Sequence, residues 1–300
     1  MLKLAIIGDV HGYWNQKDID YFNQSDYNHI IFVGDLPPHS STTVRIAKRI
    51  AKLTVGSSML PGNHDTTNLF QLVGEVFQNQ FLIRKGSFRH LERINALQIA
   101  LGNVQLRQYE VEELNDLSLI YTRPLSMGGP MLSFLPYLDK MFAIRSIKDS
   151  AKKINSLINA SKSKNIVFIA HNGPYGLGKE QNSIWGRDFD KRGGDWGDRD
   201  LLMAINYAKK QNKNVQAVIA GHMHYNQQKG SYTRNWFLKQ ENTNYINAAR
   251  VPRIFKHNEQ KVHHHIRLTW QAQENTMQAS CVFVDNQGKE IIEELTQPNP

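Results

Sequence analysis

The sequence predicts a mixed, layered α/β domain, and three observations predict it. Up to about residue 225, short apolar runs alternate with stretches of helical spacing. Beyond that point strand-like patterns dominate. No low-complexity linker and no internal repeat divides the chain. The expected organisation is therefore one domain over residues 1–300, with an insertion around 80–145.

Leu2–Ile7 is aliphatic and reads as a buried parallel strand. Residues 15–23 suggest a helix, and His29–Val33 a second strand. Ser40, Ser41 and Thr42 offer caps for a helix to about Leu53, with Val44, Ile46, Ala47, Ile50 and Leu53 at helical spacing. Gly56–Leu60 reads as a third strand. Thr66 and Thr67 could cap a helix running through Leu69, Phe70, Val73 and Phe77. Leu91–Leu101 looks helical, while Val104–Val111 and Leu117–Tyr121 alternate like strands. Residues 147–160 form an amphipathic helical pattern through Ile147, Ala151, Ile154 and Ile158. Asn165–Ala170 is the next strand. A glycine-rich loop from Asn172 to about Asp198 follows, of a length that in a compact domain usually serves function. Leu201–Lys210 reads as a helix and Val215–Ala220 as a strand. Asn244–Ala248, His263–Ala272, Met277–Val284 and Glu290–Leu295 are the strands of the tail.

Composition narrows the chemistry. Cys281 is the only cysteine, which excludes an intramolecular disulfide and a thiolate zinc site, so a metal must be held by His, Asp, Asn or Glu. A single thiol fits a cytoplasmic compartment. No apolar run approaches the ~18 residues of a membrane span. Leu2–Ile7 is too short for a signal-peptide core, so the N-terminus reads as mature. The net charge of +9 is concentrated. Residues 205–268 hold eleven Lys or Arg against only Glu241 and Glu259, which makes nucleic acid a candidate partner.

Five stretches share one shape, an apolar run ending in metal-ligand chemistry. Leu4–Gly8 leads into Asp9-Val10-His11, and His29–Gly34 into Asp35. Ser58–Gly62 leads into Asn63-His64-Asp65, Ile166–Ala170 into His171, and Val218–Gly221 into His222-Met223-His224. Open α/β sheets bind ligands beyond the C-terminal ends of their strands, and neighbouring parallel strands bring those ends together. Residues i and i+2 on a strand point the same way, so Asp9 with His11, and His222 with His224, can converge on one ion. Asp9, His11, Asp35, Asn63, His171, His222 and His224 suffice for two cations if the Asp35 carboxylate bridges them. Mixed imidazole and carboxylate donors suit Mn, Fe or Zn better than Ca.

These five blocks, in this order, resemble the signature of the calcineurin-like metallophosphoesterase superfamily. The resemblance covers residues 9–224 and implies a four-layer α-β-β-α sandwich of two mixed sheets, with the C-terminal strands 244–295 completing the second sheet. It implies that Asp9, His11, Asp35 and His224 hold one divalent metal ion, and Asp35, Asn63, His171 and His222 the other. The implied reaction is hydrolysis of a phosphomonoester or phosphodiester by attack of a metal-bound hydroxide. His64 would then assist the departing oxygen, with Asp65 accepting a ring N–H to orient it. The substrate class is a phosphorylated small molecule or nucleotide.

The chain departs from one branch of that superfamily. Gly8-Asp9-Val10-His11-Gly12 resembles the Ser/Thr protein phosphatases, which continue their second Gly-Asp with Val-Asp-Arg-Gly. Here the chain reads Gly34-Asp35-Leu36-Pro37-Pro38-His39, so the phosphate-gripping arginine is absent from that position. His171-Asn172-Gly173-Pro174 with Gly193-Gly194-Asp195-Trp196-Gly197-Asp198 resembles a branch found in cyanobacteria and plastids, which implies no particular substrate. Arg123, Arg187 and Arg250 are the candidate substrate-binding cations. His39 could face the site, and Trp185, Trp196 and Trp236 could stack on a base. The alternation of His263, His264 and His265 on a strand argues against a further metal site there. A metal-dependent nuclease is the alternative suggested by the basic segment. A catalytically silent interaction module would show damaged ligands or lack His64, and neither departure is present.

Overall fold

The computed structural model of the protein describes residues 1–37, 42–225 and 233–294. The first half contains β1 (Leu2–Ile7), α1 (Gln16–Gln24), β2 (His29–Phe32), α2 (Thr43–Ile50) and β3 (Ser57–Met59). Three helices follow, α3 (Leu69–Phe77), α4 (Gln80–Ser87) and α5 (His90–Leu101). Then come β4 (Gln105–Leu106), β5 (Glu110–Leu114), β6 (Leu117–Tyr121), α6 (Leu135–Phe142) and α7 (Ile147–Ala160). The second half holds β7 (Asn165–Ile169), α8 (Arg199–Lys210), β8 (Asn214–Ala220), β9 (Phe237–Gln240) and β10 (Thr243–Asn247). The tail is β11 (Ile254–His257), β12 (Gln260–Gln271), β13 (Thr276–Asp285) and β14 (Glu290–Glu294).

Two mixed sheets result. The first runs β14-β13-β12-β1-β2-β3-β4, with β11 also pairing β12; the second runs β5-β6-β7-β8-β10-β9. Strand alternation creates two faces and therefore three cores. Leu4, Ile6, Ile31 and Val33 of the first sheet meet Leu119, Val167, Ile169 and Ile219 of the second. The intervening Ala5, Ile7, Ile30 and Phe32 face outward, under Ile19 and Phe22 of α1, Ile46 and Ile50 of α2, and Leu97 of α5. On the opposite side Ile166, Phe168 and Val218 pack under Ile154 and Ile158 of α7 and Leu201 and Ile205 of α8. This is the expected four-layer α-β-β-α arrangement. Parallel pairing of β1 with β2, β2 with β3, and β7 with β8 brings five strand ends to one edge.

One expectation needs correction. Of the C-terminal strands, Thr243–Asn247 joins the second sheet, but β11 to β14 extend the first, with β12 antiparallel to β1. Alternation marks a strand without naming its neighbour. The 80–145 stretch contributes strands to both sheets. Its β4 closes the edge of the first sheet, and β5 and β6 enter the second. Ser40, Ser41, His39, Leu295 and part of the basic segment lie outside the described residues.

One buried carboxyl gives a stability prediction. Glu75 of α3 is 5% exposed and accepts the Phe134 N–H at 2.9 Å. Burial, only partly opposed by that bond, pushes it up to about 7 from an ordinary 4.5. A raised carboxyl binds its proton more tightly in the folded state, so its contribution is full below about pH 4.5 and lost as pH rises through about 7. Glu75→Gln keeps the acceptor without the charge. It is expected to stabilise the protein at pH 8 by about 1–3 kcal/mol and to leave pH 5 nearly unchanged. Urea unfolding at the two pH values measures it; equal effects at both would contradict the assignment.

Candidate metal centre

All seven candidate ligands stand at the shared strand edge. Asp9 and His11 follow β1, Asp35 follows β2 and Asn63 follows β3, all from the first sheet. His171 follows β7, and His222 and His224 follow β8, from the second. The polar cluster therefore spans the mouth between the sheets.

The backbone is bent sharply to deliver these side chains. Asp9, His11, Asp35 and His222 have φ of 24°, 43°, 53° and 67°, a region that L-residues adopt rarely and that collects at functional sites. Glycine is required where neighbours crowd in. A Cβ on Gly221 would sit 2.1 Å from Asp9 Oδ1. One on Gly62 would sit 2.4 Å from Asp35 Oδ1 and 2.5 Å from His171 Cε1. Gly221→Ala is accordingly expected to displace the Asp9 carboxylate, lowering bound metal and reducing activity by roughly 100-fold. Metal analysis of the purified variant checks this, and full metal content would refute it.

The donors gather into two groups, Asp9-His11-His224 and Asp35-His171-His222, each with ligand atoms within 4.8 Å of one another. In the first group His11 Nε2 lies 3.1 Å from His224 Nε2, and His224 Nε2 lies 3.2 Å from Asp9 Oδ2. In the second, His171 Nε2 lies 2.9 Å from Asn63 Oδ1 and 3.5 Å from Asp35 Oδ2. Asp35 joins the groups, because the same Oδ2 lies 3.9 Å from His11 Nε2. Its Oδ1 accepts the His64 N–H at 2.9 Å. Backbone carbonyls set two imidazoles. His171 Nδ1 meets Val33 O at 2.7 Å, which leaves Nε2 facing the cluster. His222 Nε2 meets Met127 O at 3.2 Å, which leaves Nδ1. Sequence marks Met127-Gly128-Gly129-Pro130 only as a loop, and a carbonyl contact leaves no trace in residue type.

Charge at this edge calls for cations. Asp9 and Asp35 are buried, and among the described residues no Lys or Arg pairs with either. Imidazoles carry the compensation instead: against the effect of burial, the Asp35 charge lifts His171 to about 10. Burial, reinforced by the neighbouring His171, drops His222 to about 3. Buried carboxylates, a buried His171 and the part-buried imidazoles of His11, His222 and His224, in two adjoining groups, fit divalent metal ions.

His64 is part-buried beside the first group, its ring centroid 5.6 Å from that of His11. Asp65 has a different partner set from the one expected. Its Oδ2 accepts N–H groups of Gly62 at 2.6 Å and Asp35 at 2.9 Å, and its Oδ1 accepts that of Leu36 at 2.7 Å. The expected bond to the His64 ring is not among them. Burial and the Asp35 charge push Asp65 up to about 7, against the Leu36 and Gly62 N–H donors. Asp65 thus ties the Asp35 loop to the Asn63 loop.

The candidate substrate cations fare unequally. Arg123 is 3% exposed and pairs with Asp198 at 2.7 Å and Asp200 at 2.8 Å, so it is held inside the fold. Arg250 is half-buried and lies 4.0 Å over the Phe255 ring. Arg187 is part-exposed and lies 5.6 Å over Trp196, whose indole N–H shares the Met127 carbonyl with His222. Of the three, only Arg187 is connected to the cluster in this way. The basic segment is spread through the fold. Arg234 pairs with Asp188, Arg253 with Asp18, Arg267 with Glu290 and Lys209 with Glu241. His263 meets Asp18, His264 stacks on Trp236 and His265 meets the Tyr27 hydroxyl. Trp185 packs on Gly173.

Comparison with known proteins bears on the same residues. The profile of the calcineurin-like phosphoesterase family matches residues 2–226. No curated protein matches the chain. Among solved structures, the phosphopantetheinyl hydrolase of Mycobacterium tuberculosis is 10% identical, with 83% of this chain and 89% of that chain covered and a TM-score of 0.43. A predicted phosphoesterase from Streptococcus pneumoniae is 8% identical, covering 99% and 98%, with a TM-score of 0.34. A metallophosphoesterase from Sphaerobacter thermophilus is 10% identical, covering 95% and 87%, with a TM-score of 0.33.

Proposed function

We propose that this chain, which belongs to the calcineurin-like phosphoesterase family, hydrolyses a phosphomonoester or phosphodiester at a centre of two divalent cations. Asp9, His11 and His224 would hold one ion, Asn63, His171 and His222 the other, and Asp35 both. The observation that carries this reading is Asp35 Oδ2, within 3.9 Å of His11 Nε2 and 3.5 Å of His171 Nε2. Such a pair of ions activates water at neutral pH and offsets charge on phosphoryl oxygens.

The chain's own groups supply the rest. His64 stands beside the first ligand group with its backbone fixed on Asp35, so its imidazole is free to donate a proton to a departing oxygen. Asp65 keeps the Asp35 and Asn63 loops in register through three N–H bonds, a positioning task. Of the candidate cations, Arg187 is part-exposed and linked to His222 through Trp196 and Met127, and to meet a substrate's remaining negative charge it would leave its pair with Asp190, at 3.0 Å. The nucleolytic reading is weakened at three cations of the 205–268 segment, Arg234, Arg253 and Arg267, which pair with carboxylates of the fold. Cytoplasmic residence accords with the single buried thiol, Cys281.

The test is a substrate panel with added Mn²⁺: an aryl phosphomonoester, a bis-aryl phosphodiester, nucleotides and nucleic acids. Turnover of an ester is expected, reduced roughly 10²–10⁴-fold in His64→Ala. No turnover of any substrate with Mn²⁺, Fe²⁺ or Zn²⁺, or activity surviving both Asp35→Asn and His64→Ala, would overturn the reading.

A further inference from the structure

The α3–α4 hairpin turns an unusually apolar face outward. Leu69 is 72% exposed, Phe70 50%, Val76 61%, Phe77 75%, Phe81 73% and Phe88 73%. Scattered exposed apolar residues are ordinary, but a contiguous run of phenylalanines marks a surface that meets something. Leu69, Phe70, Val76 and Phe77 lie on one side of α3 at helical spacing, and Phe81, Arg84, Lys85 and Phe88 follow the same rule along α4 and its end. Lys85 Nζ lies 4.7 Å over the Phe70 ring and joins the two stripes into one face.

The opposite sides of both helices are already used. Gln71, Gly74 and Glu75 are buried on α3, and Ile83 and Gly86 on α4. A Cβ on Gly86 would lie 2.4 Å from the Gln71 backbone nitrogen, so the helices touch there. The phenylalanines are therefore not a misplaced core. The hairpin is tied to the segment after Asn63-His64-Asp65 through α5. Asn68 caps α3, Thr66 Oγ1 meets His90 Nε2 of α5 at 2.9 Å, and Arg93 of α5 donates both to Thr66 O at 2.5 Å and to Gly86 O of α4 at 2.8 Å.

Charge selects the occupant. Arg84 and Lys85 stand among the phenylalanines, Arg89 follows, and Lys140 lines a cleft of about 470 Å³ beside Phe88. Neither stripe carries an acidic residue; the nearby Glu92 pairs with Arg89 at 3.3 Å. A second copy related by a twofold would bring together two faces that each carry cations and no acidic partner for them, which is unfavourable. Apolar rings with flanking cations suit the boundary between lipid headgroups and acyl chains, where the rings enter and the cations meet phosphates.

We infer that this face docks on a bilayer containing anionic lipid. Docking depends on the hairpin alone and would hold in a chain without catalytic metal. The experiment is flotation of the full chain with vesicles of phosphatidylcholine alone, or with about 30% phosphatidylglycerol, at low and high salt. Wild type should float with the anionic vesicles and be released by salt. Phe77→Ser/Phe81→Ser should weaken binding by about tenfold or more with an unchanged circular dichroism spectrum and melting temperature. Arg84→Gln/Lys85→Gln should remove the preference for anionic vesicles. Wild type that stays with the soluble fraction on both vesicle types would overturn the inference. So would a Phe77→Ser/Phe81→Ser variant that floats as well as wild type, or self-association that depends on Phe77 and Phe81 without vesicle binding.

Discussion

Asp35→Asn is expected to lower kcat/KM for the best ester substrate by on the order of 10³-fold or more, with excess Mn²⁺ failing to restore it. The change is isosteric, and Asn tolerates the left-handed backbone that Asp35 adopts at φ 53°. The Asp35 N–H bond to Asp65 does not involve the side chain, so the fold should survive and the melting temperature move little. What changes is the one carboxylate facing both ligand groups. His11→Ala or His171→Ala removes a donor from one group only and should cost less. Steady-state kinetics on the three variants give the ranking. An Asp35→Asn enzyme as active as either histidine variant would show that the two groups do not depend on a shared ligand.

Arg123→Met is expected to cost about 3–5 kcal/mol of stability, because it strands two buried carboxylates. For a chain of this size that corresponds to a melting temperature lower by about 6–15 °C. Arg123 Nη2 lies 2.7 Å from Asp198 and Nε 2.8 Å from Asp200. Burial and the Asp200 charge already push Asp198 up to about 6, with Arg123 the principal opposing influence. Without the guanidinium the Asp198 carboxyl moves higher still, so the loss should be largest above neutral pH and shrink on acidification as it protonates. Asp198 stands at the N-terminal boundary of α8 and its carboxylate accepts from Ser126 at 2.8 Å, so the effect should reach the Asn172–Asp198 loop. A substrate-contacting Arg123 would instead raise KM with stability intact. Thermal unfolding at pH 5.5 and 8 separates these outcomes; a loss below about 1 kcal/mol at both would contradict the buried triad.

The gathering of the candidate ligands at one strand edge is legible in the sequence because its signal is local. An apolar run ending in Gly-Asp, Gly-Asn-His-Asp or His-x-His reports a buried strand and its C-terminal chemistry within a few residues. The same holds for α7, whose buried Ala151, Ile154 and Ile158 follow the expected stripe. What escaped was partner identity. Asp65 was expected on the His64 ring and binds three backbone N–H groups, and Arg123 was expected near substrate and lies in a buried ion pair. Residue type says that a charge needs a partner, not which loop will supply it. Periodicity failed in the same way at α3. Leu69, Phe70, Val73 and Phe77 have helical spacing, and the helix is there, yet Leu69, Phe70 and Phe77 face outward. Spacing defines a stripe but not the medium it meets. Alternation likewise found β12 and β13 without showing that they extend the first sheet.

The bridging role of Asp35 is tested most directly by metal stoichiometry. Wild type and Asp35→Asn, each loaded with Mn²⁺ and freed of excess metal, are analysed for metal per chain. Wild type should hold about two ions, and Asp35→Asn should lose most of both. Two tightly held ions in Asp35→Asn would contradict a centre built on that carboxylate.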